Sequence, residues 1–312
     1  MHAKELQAVR AAGIDPDRIA IRRLQPADRR SMLAIAARIW EGDDYLPHVF
    51  DRWVADPEGY FPGLFLDGAL IGCGRLQPLD AERVWLESLR IDPEHQGQGL
   101  GRVIAEHVIR AACATGYREL FFATYFRNYG SIRISERAGF RRVATFTNLE
   151  RKLPDADAVA PASGRGARPA PAAGAAHEID AEIDAEITPG LPGVSGYLAT
   201  DWVILPPAVE GRERFFHGAV TLRVAGCRFV LQPNDKYPTT LEICWRDTGP
   251  EGLSAMALER VLAYARQQGY RQVHTMVPVK ETLDPYLAIG FAYFEQAEDV
   301  FVYAAEASAL DL

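Results

Sequence analysis

The sequence predicts an α/β (α+β) chain of two domains, each with a mixed central sheet flanked by helices. One observation is that strand-like and helix-like apolar periodicities alternate on both sides of residues 154–194, a segment rich in Ala, Pro and Gly. A second is that the joint Gly-Tyr-Arg at Gly116 recurs at Gly269, and the Gly-Phe pair at Gly139 recurs at Gly290. The repetition indicates a duplicated βα unit, with chance similarity of two α/β domains as the alternative.

Composition excludes several classes of function. The 312-residue chain has a net charge of −8, with 48% hydrophobic and 24% charged residues, as expected for a soluble globular protein. That charge disfavours binding to nucleic acid or anionic membranes. No apolar run approaches the ~18 residues of a membrane span, and the N-terminus lacks the apolar region of a signal peptide. Four scattered cysteines indicate reduced thiols without zinc, so we expect a cytoplasmic protein without a metal site.

The first domain, residues 1–153, alternates strands and helices. An Asp-Gly pair at Asp67 predicts a hairpin turn, and Gly139 provides a stop for the last helix. The predicted strands are residues 19–24, 63–66, 69–73, 84–91 and 119–124, with a last one opening at Phe140. The predicted helices are residues 26–39, 48–54, 101–115 and 131–138.

The segment 154–194 is predicted to be a flexible linker, because it has almost no large apolar residue to bury. Its end, residues 178–187, repeats an acidic pattern with a period of four, which indicates either further linker or a small helix. The second domain, residues 195–312, then repeats part of the first. Its predicted strands are 220–231 (two, around Ala225-Gly226), 239–245, 272–277 and a final pair, and its predicted helices are 253–268 and 281–288.

A glycine-rich loop at residues 96–101 separates a strand from a helix in the first domain. Glycines let backbone N–H groups approach an oxyanion without a Cβ in the way, and the helix start directs unpaired N–H groups to the same place. No Lys-Ser/Thr follows, and the glycines recur at every second position, so neither a P-loop nor a Rossmann motif is present. By itself, such a triplet could be only a tight strand-to-helix turn.

The surrounding residues make the loop more specific. It resembles motif A of the GNAT superfamily of N-acyltransferases, Gln/Arg-x-x-Gly-x-Gly/Ala, at Gln96, Gly99 and Gly101. Residues 128–131 (Asn-Tyr-Gly-Ser) and 136–140 (Glu-Arg-Ala-Gly-Phe) resemble the next conserved segment of that family. The resemblance covers roughly residues 19–150. Together with the repeated Gly-Tyr-Arg and Gly-Phe joints, it predicts two GNAT-like domains, the second of them degenerate.

The resemblance implies acetyl-CoA as co-substrate and no metal. The pyrophosphate would bind the amides of residues 96–101, and pantetheine would lie between strands 84–91 and 119–124, where these splay apart. Leu89 and Ile91 would offer backbone groups to the pantetheine and thioester, with the amide near Leu89 as the oxyanion donor. The implied cofactor-binding residues are Leu89, Ile91, Gln96, Gly97, Gln98, Gly99, Leu100, Gly101, Arg102, Asn128 and Ser131.

Amide formation also needs a base for the amine and an acid for the thiolate. Glu87 is the candidate base, since it lies on the strand that would line the acyl site; the alternative is an exposed sheet glutamate. His95 is interpreted as a surface residue. Where relatives often carry a tyrosine that acts as the acid, this chain has Ser135, a poor acid whose hydroxyl could still hydrogen-bond the leaving sulfur. Tyr129 or Tyr125 could substitute as the acid.

The acceptor amine is expected to bind at residues 39–53, an aromatic and acidic segment with Trp40, Asp44 and Tyr45 as candidate substrate residues. The alternative is an aromatic corner between helices, packed into the core. The run Gly-Asp-Asp-Tyr-Leu-Pro at residues 42–47 is similar to the histidine N-acetyltransferase type, a looser resemblance than motif A. It implies a small-molecule amine, possibly a free amino acid, as acceptor.

The loop of the second domain, residues 246–252, lacks the Gln-x-x-Gly-x-Gly pattern. Pro250 removes an amide donor and Glu251 adds negative charge, so we expect no CoA binding there. This domain would instead complete the first sheet or wall the acceptor site. Two other functions stay open: a protein or peptide N-terminal acetyltransferase, and a non-catalytic CoA-binding sensor. The sequence does not give the oligomeric state.

Overall fold

A computed structural model describes residues 9–10, 13–154, 186–189, 196–249 and 251–310. The strands are β1 Ile19–Arg23, β2 Pro62–Leu66, β3 Ala69–Pro78, β4 Arg83–Ile91, β5 Glu119–Tyr125, β6 Arg141–Lys152, β7 Glu186–Pro189, β8 Leu198–Thr200, β9 Val203–Leu205, β10 Val220–Val224, β11 Cys227–Pro233, β12 Thr240–Asp247, β13 Gln272–Pro278, β14 Ala292–Tyr293 and β15 Val300–Glu306. The α-helices are α1 Arg29–Ala36, α2 Leu46–Ala55, α3 Leu100–Thr115, α4 Tyr129–Ala138, α5 Ala255–Gln267 and α6 Asp284–Ala288.

One 13-stranded sheet runs through both halves of the chain, in the order β1-β2-β3-β4-β5-β15-β6-β13-β12-β11-β10-β7, with β14 on β6. Within the first half, β1 to β4 pair antiparallel and β4 pairs parallel with β5. In the second half, β7, β10, β11 and β12 pair antiparallel and β12 pairs parallel with β13. The two runs therefore have the same strand order and the same strand directions.

The halves meet by exchanging strands at the middle of this sheet. The C-terminal strand β15 lies between β5 and β6, with Val300 opposite both Tyr125 and Phe146. In return, the end of β6 lies between β13 and β14, with Leu149 opposite Thr275 and Tyr293. Because each half contributes a strand to the other, the second half cannot move away without breaking backbone hydrogen bonds.

Alternation along the strands divides the core into layers. One face carries α3 over the first half and α5 over the second, on two separate apolar clusters. The opposite face carries α1 and α2 over β2 and β3, and the β8–β9 hairpin over the middle of the sheet. On β5, for example, Phe122 belongs to the α3 cluster whereas Phe121 packs with Val203 of the hairpin.

Most of the predicted elements are confirmed within a few residues, including the Asp67-Gly68 turn and the left-handed Gly139 that ends α4. Three predictions need correction. The helix expected over 26–39 is a 3-10 turn and the eight-residue α1, and that expected over 281–288 begins only at Asp284. Within the segment predicted to be linker, residues 186–189 form β7 at the sheet edge, where β-branched residues suit an extended strand.

Most of the predicted linker otherwise lies outside the described residues. The β8–β9 hairpin was not predicted, because its strands have only three residues each. All four cysteines are free thiols. No helix in the described part of the chain is long and apolar enough to cross a membrane.

Candidate active site

The central feature of the site is an opening between two neighbouring parallel strands. Pairing between β4 and β5 covers three residue pairs, the last being Trp85 with Phe121. Beyond these pairs the strands diverge, although β4 continues to Ile91 and β5 to Tyr125. This confirms the predicted splay and leaves unpaired backbone groups of β4 facing the gap.

A β-bulge redirects β4 inside this opening. The pairing with β3 shifts between Cys73 and Arg75, and the bulged residue Ser88 has a left-handed φ of 60°. A left-handed conformation costs a non-glycine residue about 1–2 kcal/mol, and such strain concentrates at functional sites. Ser88 is also buried, and its hydroxyl makes no hydrogen bond within the described residues.

The glycine-rich loop follows β4 and leads into α3. Gly97 and Gly99 have left-handed φ values of 76° and 79°, and Gly99 is the N-cap of α3 without a side-chain capping bond. In the described part of the protein, no acceptor is hydrogen-bonded to the amides of residues 97–101. A Cβ added at Gly97 would meet nothing within 4 Å. The loop is therefore an open cluster of amide donors at the positive end of a 16-residue helix.

A cavity of about 1170 Å³ extends from this opening through the sheet. Residues of α3, α4 and their strands form the arm on one face. Residues 39–45 between α1 and α2, the turn of the β8–β9 hairpin and the second half form the arm on the other. The lining residues on which the site depends are Trp40, Tyr45, Glu87, Ser88, Leu89, Arg90, Ile91, Gln96, Tyr125, Asn128, Ser131, Ser135, Asn148, Trp202, Lys236, Tyr237, His274 and Phe294.

The predicted cofactor residues fall into two groups. Leu89, Ile91, Gln96, Asn128 and Ser131 line the cavity, and the Asn128 side chain also caps α4 by accepting from the Ser131 amide at 3.3 Å. The others form the loop and the first turn of α3 beside the cavity: Gly97, Gln98, Gly99, Leu100, Gly101 and Arg102. The Arg102 side chain donates to Glu106 at 2.6 Å, so the positive charge of Arg102 is already partly compensated by a carboxylate.

Glu87 lies in the cavity wall, but its environment does not suit the role of general base. One carboxylate oxygen pairs with Arg75, and the other accepts from the Lys236 ammonium at 2.8 Å. Burial alone would raise the pKa of Glu87, but the charges of Lys236 and Arg75 outweigh burial and hold the pKa below its ordinary value. A carboxylate so stabilised takes up a proton poorly, and the side chain is not the exposed sheet glutamate of the alternative either.

The structure separates the three candidate acids. Ser135 lines the cavity from α4, and Tyr125 lines it from the end of β5. Tyr129 is 68% exposed and does not line the cavity, so its predicted catalytic role is not supported by its position. Burial raises the pKa of Tyr125, and nearby Asp299 and Glu295 raise it further, so the phenol keeps its proton at neutral pH.

The predicted acceptor residues are also divided. Trp40 and Tyr45 line the cavity as expected. Asp44 does not, because one of its oxygens accepts from the Arg90 guanidinium at 2.9 Å and the other from the Leu46 amide at 3.0 Å. Asp44 is thus a buried partner of Arg90 and not a free substrate ligand, whereas its neighbours Glu41 and Asp43 and its partner Arg90 line the cavity.

Sequence reasoning expected the second half to complete the first sheet or wall the acceptor site, but it did not assign the residues of that half that line the cavity. Trp202 sits on a two-residue turn in which Asp201 and Trp202 both have positive φ, 51° and 67°, and its ring lies 5.1 Å from that of Tyr125. The buried His274 contacts Glu242 through Nδ1 at 3.1 Å and Asn148 through Nε2. Only the excess of polar residues in otherwise strand-like segments could have pointed to them.

Comparisons with known proteins agree with this geometry. Residues 27–140 match the model of the acetyltransferase (GNAT) family. The matched segment holds the opening, the loop and α3. A search of functionally curated proteins gave no match.

Solved structures resemble nearly the whole chain. A GCN5-related N-acetyltransferase from Sphaerobacter thermophilus superposes with a TM-score of 0.60 at 15% identity, covering 94% of this chain and 96% of that one. A candidate acetyltransferase from Pyrococcus horikoshii gives a TM-score of 0.57 at 12% identity, covering 94% and 91%. One from Thermoplasma acidophilum gives 0.54 at 16% identity, covering 89% of each chain. At these identities the likeness shows that the fold is that of GNAT acetyltransferases.

Proposed function

We propose that the protein transfers an acetyl group from acetyl-CoA to the amine of a small molecule. The observation that carries the proposal is the β4–β5 opening, which lies directly beside the uncapped N-terminus of α3. Together they provide a slot for an extended thiol arm and an anion site at one end of it. A diphosphate ester of a long thioester is the ligand class that needs both features at once.

The residues present fit such a ligand. The amides of residues 97–101 need acceptors, and phosphate oxygens would provide them. Gly101 has room for a Cβ in the unliganded protein, with its closest contacts at 3.7 Å, so its glycine is explained by an approaching ligand better than by packing. Leu89 and Ile91, on the free edge of β4, would hold the pantetheine amides.

The chemistry requires one bond to form and one to break. Acetyl-CoA supplies a thioester whose carbon accepts the amine nitrogen, and the C–S bond breaks to release CoA thiolate. The role of this chain is chiefly to position the two reactants. The bulge at Ser88 directly precedes Leu89, and we assign the Leu89 amide as donor to the thioester carbonyl oxygen.

The amine must lose its proton before it attacks. Glu87 is held as a carboxylate by Arg75 and Lys236, so we assign it a positioning role in place of the base role expected from the sequence. The buried cations Arg90 and Lys236 lower the pKa of a nearby ammonium by charge repulsion, which favours the neutral amine. Tyr125 is the proposed acid for the leaving thiolate, with Ser135 as a hydrogen-bond donor beside it.

We infer that the second half is a degenerate GNAT-like domain that walls the acceptor site. The repeated strand order supports a shared origin, and Trp202, Lys236 and His274 support a role in the wall. We assign no CoA to the equivalent loop of the second half, because the helix that follows it, α5, already has a serine cap. Pro250, which supported the same expectation from the sequence, lies outside the described residues.

The test is release of free thiol from acetyl-CoA in the presence of a panel of amino acids, arylalkylamines and polyamines, alongside calorimetric binding of acetyl-CoA. Turnover of a small amine supports the proposal. Turnover confined to peptides with free N-termini would favour the peptide acetyltransferase. Binding of acetyl-CoA without turnover of any amine would favour the CoA sensor.

A further inference from the structure

Arg90 is a buried cation in the acceptor arm whose hydrogen-bonding capacity is not fully used. Its side chain is only 9% exposed. Nε donates to Asp44 at 2.9 Å and Nη1 donates to the carbonyl of Leu89 at 3.2 Å, whereas Nη2 is buried without a hydrogen-bond partner in the described structure. An unused donor at this depth costs about 1–3 kcal/mol unless a ligand or water satisfies it.

The carboxylates around the buried part of this arm are already occupied. Both oxygens of Asp44 are bonded, to Arg90 and to the Leu46 amide, and both oxygens of Glu87 are bonded to cations. The acidic residues that remain in the lining are at its exposed or half-exposed edge: Glu41, Asp43, Glu150 and Glu295. A second ammonium group on the acceptor would therefore find no free buried carboxylate among the described residues that line the cavity.

Hydrogen-bond donors dominate instead. Lys236 reaches the same tyrosine ring as Arg90: its ammonium lies 4.6 Å from the centre of the Tyr45 ring, and the Arg90 guanidinium lies 5.1 Å from it. The buried Ser88 hydroxyl and Asn148 side-chain amide also line the cavity without using all their donors. The interior of the arm is thus suited to an anionic group with several acceptor oxygens.

Trp40 controls access to this donor. Its indole lies over the Arg90 guanidinium, 4.2 Å from the ring centre, and it is 53% exposed. Residues 40–42 all have left-handed φ values, of 47°, 57° and 90°, which is strained for Trp40 and Glu41. A ring stacked on the face of a guanidinium leaves the in-plane N–H groups as the route for a carboxylate once the indole shifts.

We propose that Arg90 binds a carboxylate of the acceptor, so that the substrate class is amines carrying a carboxylate close to the reacting nitrogen, as in free α-amino acids. The inference rests on the proposed acetyl transfer and narrows its acceptor. Arg90 donates to the carbonyl of Leu89 on the free edge of β4, which places the carboxylate near the thioester. A carboxylate bound there sets the neighbouring amine beside the acyl carbon.

The experiment compares each proteinogenic L-amino acid with its α-carboxamide, which has the same shape without the charge. Rates are corrected to the concentration of neutral amine. The full-length wild-type protein is expected to acetylate its best amino acid at least tenfold more efficiently than the matching amide. Arg90→Lys, which keeps a charge for Asp44, should lower kcat/KM for the acid by 10- to 100-fold and for the amide by less than threefold.

A second variant, Asp44→Asn with Arg90→Gln, removes both buried charges together and guards against misfolding of the single variant. It should also lose the preference for the acid while its thermal transition stays cooperative. Arg18→Lys, in an exposed ion pair with Asp67, is the matched control and should keep the preference.

Equal use of acids and amides by the wild-type protein would overturn the inference while leaving acetyl transfer intact. So would an equal loss for both substrates in Arg90→Lys at unchanged melting temperature. Absence of turnover with every acid and amide, despite acetyl-CoA binding, would instead overturn the proposed function and the inference with it.

Discussion

The two halves contain the same pair of parallel strands, and the residues beyond the last strand pair differ between them. In the first half, β4 and β5 separate after Trp85 and Phe121, and residues of both strands beyond that point line the cavity. In the second, β12 and β13 pair as far as Ile243 and Thr275. Beyond that point, Arg246 reaches from β12 to Glu281 at 2.6 Å, and Tyr286 of α6 is completely buried in the apolar cluster.

The helices that follow these strands, α3 in the first half and α5 in the second, also differ at their N-termini. Gly99 at the start of α3 has no side chain to satisfy the first amides, whereas Ser254 at the start of α5 accepts from the Ala257 amide at 3.1 Å. The same topology thus gives open helix amides in the first half, where we propose the ligand site, and a capped helix near a buried tyrosine in the second. Strand order does not decide between the two outcomes; a few side chains do.

The largest expected effect is on the open loop. Gly99→Glu places a carboxylate where the phosphates would bind and adds a side chain at a φ of 79°. We expect acetyl-CoA affinity to fall at least 1,000-fold, about 4 kcal/mol, by calorimetry. Retained affinity would show that this loop is not the anion site.

Gly252→Glu is the matched control, because Gly252 lies in the corresponding loop of the second half at a φ of 80° with open space around it. Both substitutions carry a backbone strain of about 1–2 kcal/mol, so both should lower the melting temperature. Only Gly99→Glu should lose the ligand; a comparable loss in Gly252→Glu would mean that the second half also binds CoA.

The next effect concerns the ion pair that joins the halves. Lys236→Met keeps an apolar stem of similar length against Tyr45 and removes the ammonium that Glu87 accepts from. We expect a loss of about 3 kcal/mol in the free energy of unfolding, since one partner of a buried pair is left behind. Denaturant melts measure it, with Arg18→Lys as the exposed control, for which a change below about 0.5 kcal/mol is expected.

This loss should depend on pH in a defined direction. The folded pKa of Glu87 is lowered, mainly by Lys236 and Arg75 against the opposing effect of burial, so its stabilisation is present above the unfolded pKa of about 4.3 and disappears as pH falls through the folded value. The folded pKa of Lys236 is raised by Glu87 despite burial, so that stabilisation is present below about 10.4 and lost as pH rises further. The difference between wild type and Lys236→Met should therefore be widest between these limits, and a flat difference down to pH 3 would contradict the assignment.

Which features could be predicted from the sequence depends on how far apart in the chain the interacting residues lie. The splay, the loop and the helix start depend on residues close together in the chain, and Gln96, Gly99 and Gly101 indicated them correctly. The state of Glu87 depends on Lys236, which is 149 residues away and belongs to the other half. Likewise, Asp44 was predicted to contact the acceptor, but its ion pair with Arg90, 46 residues away, could be seen only in the fold. Sequence motifs therefore predict a site made of backbone amides, but not the charge state of a side chain whose ion-pair partners are distant in the chain.

A smaller effect tests the acid. Tyr125→Phe should lower kcat about tenfold, about 1.4 kcal/mol, with acetyl-CoA affinity unchanged, because CoA thiolate is already a good leaving group. Tyr129→Phe is the control and should leave kcat within twofold, as Tyr129 is exposed outside the cavity. Single-turnover kinetics measure both. A larger loss of kcat in Tyr129→Phe than in Tyr125→Phe would indicate that Tyr129, on α4, is the acid.

The smallest effect tests the capped helix of the second half. Ser254→Ala removes the bond to the Ala257 amide, so the free energy of unfolding should fall by about 1 kcal/mol, measurable in denaturant melts. Acetyl-CoA affinity should not change, since freeing one amide does not open a cleft that Arg246 and Tyr286 fill. If Ser254→Ala created a second calorimetric site for acetyl-CoA, the cap alone would separate the two halves. If Ser254→Ala creates no such site, the side chains between β12 and β13 are what prevent acetyl-CoA binding in the second half. The difference between the halves then depends more on the sheet than on the helix cap.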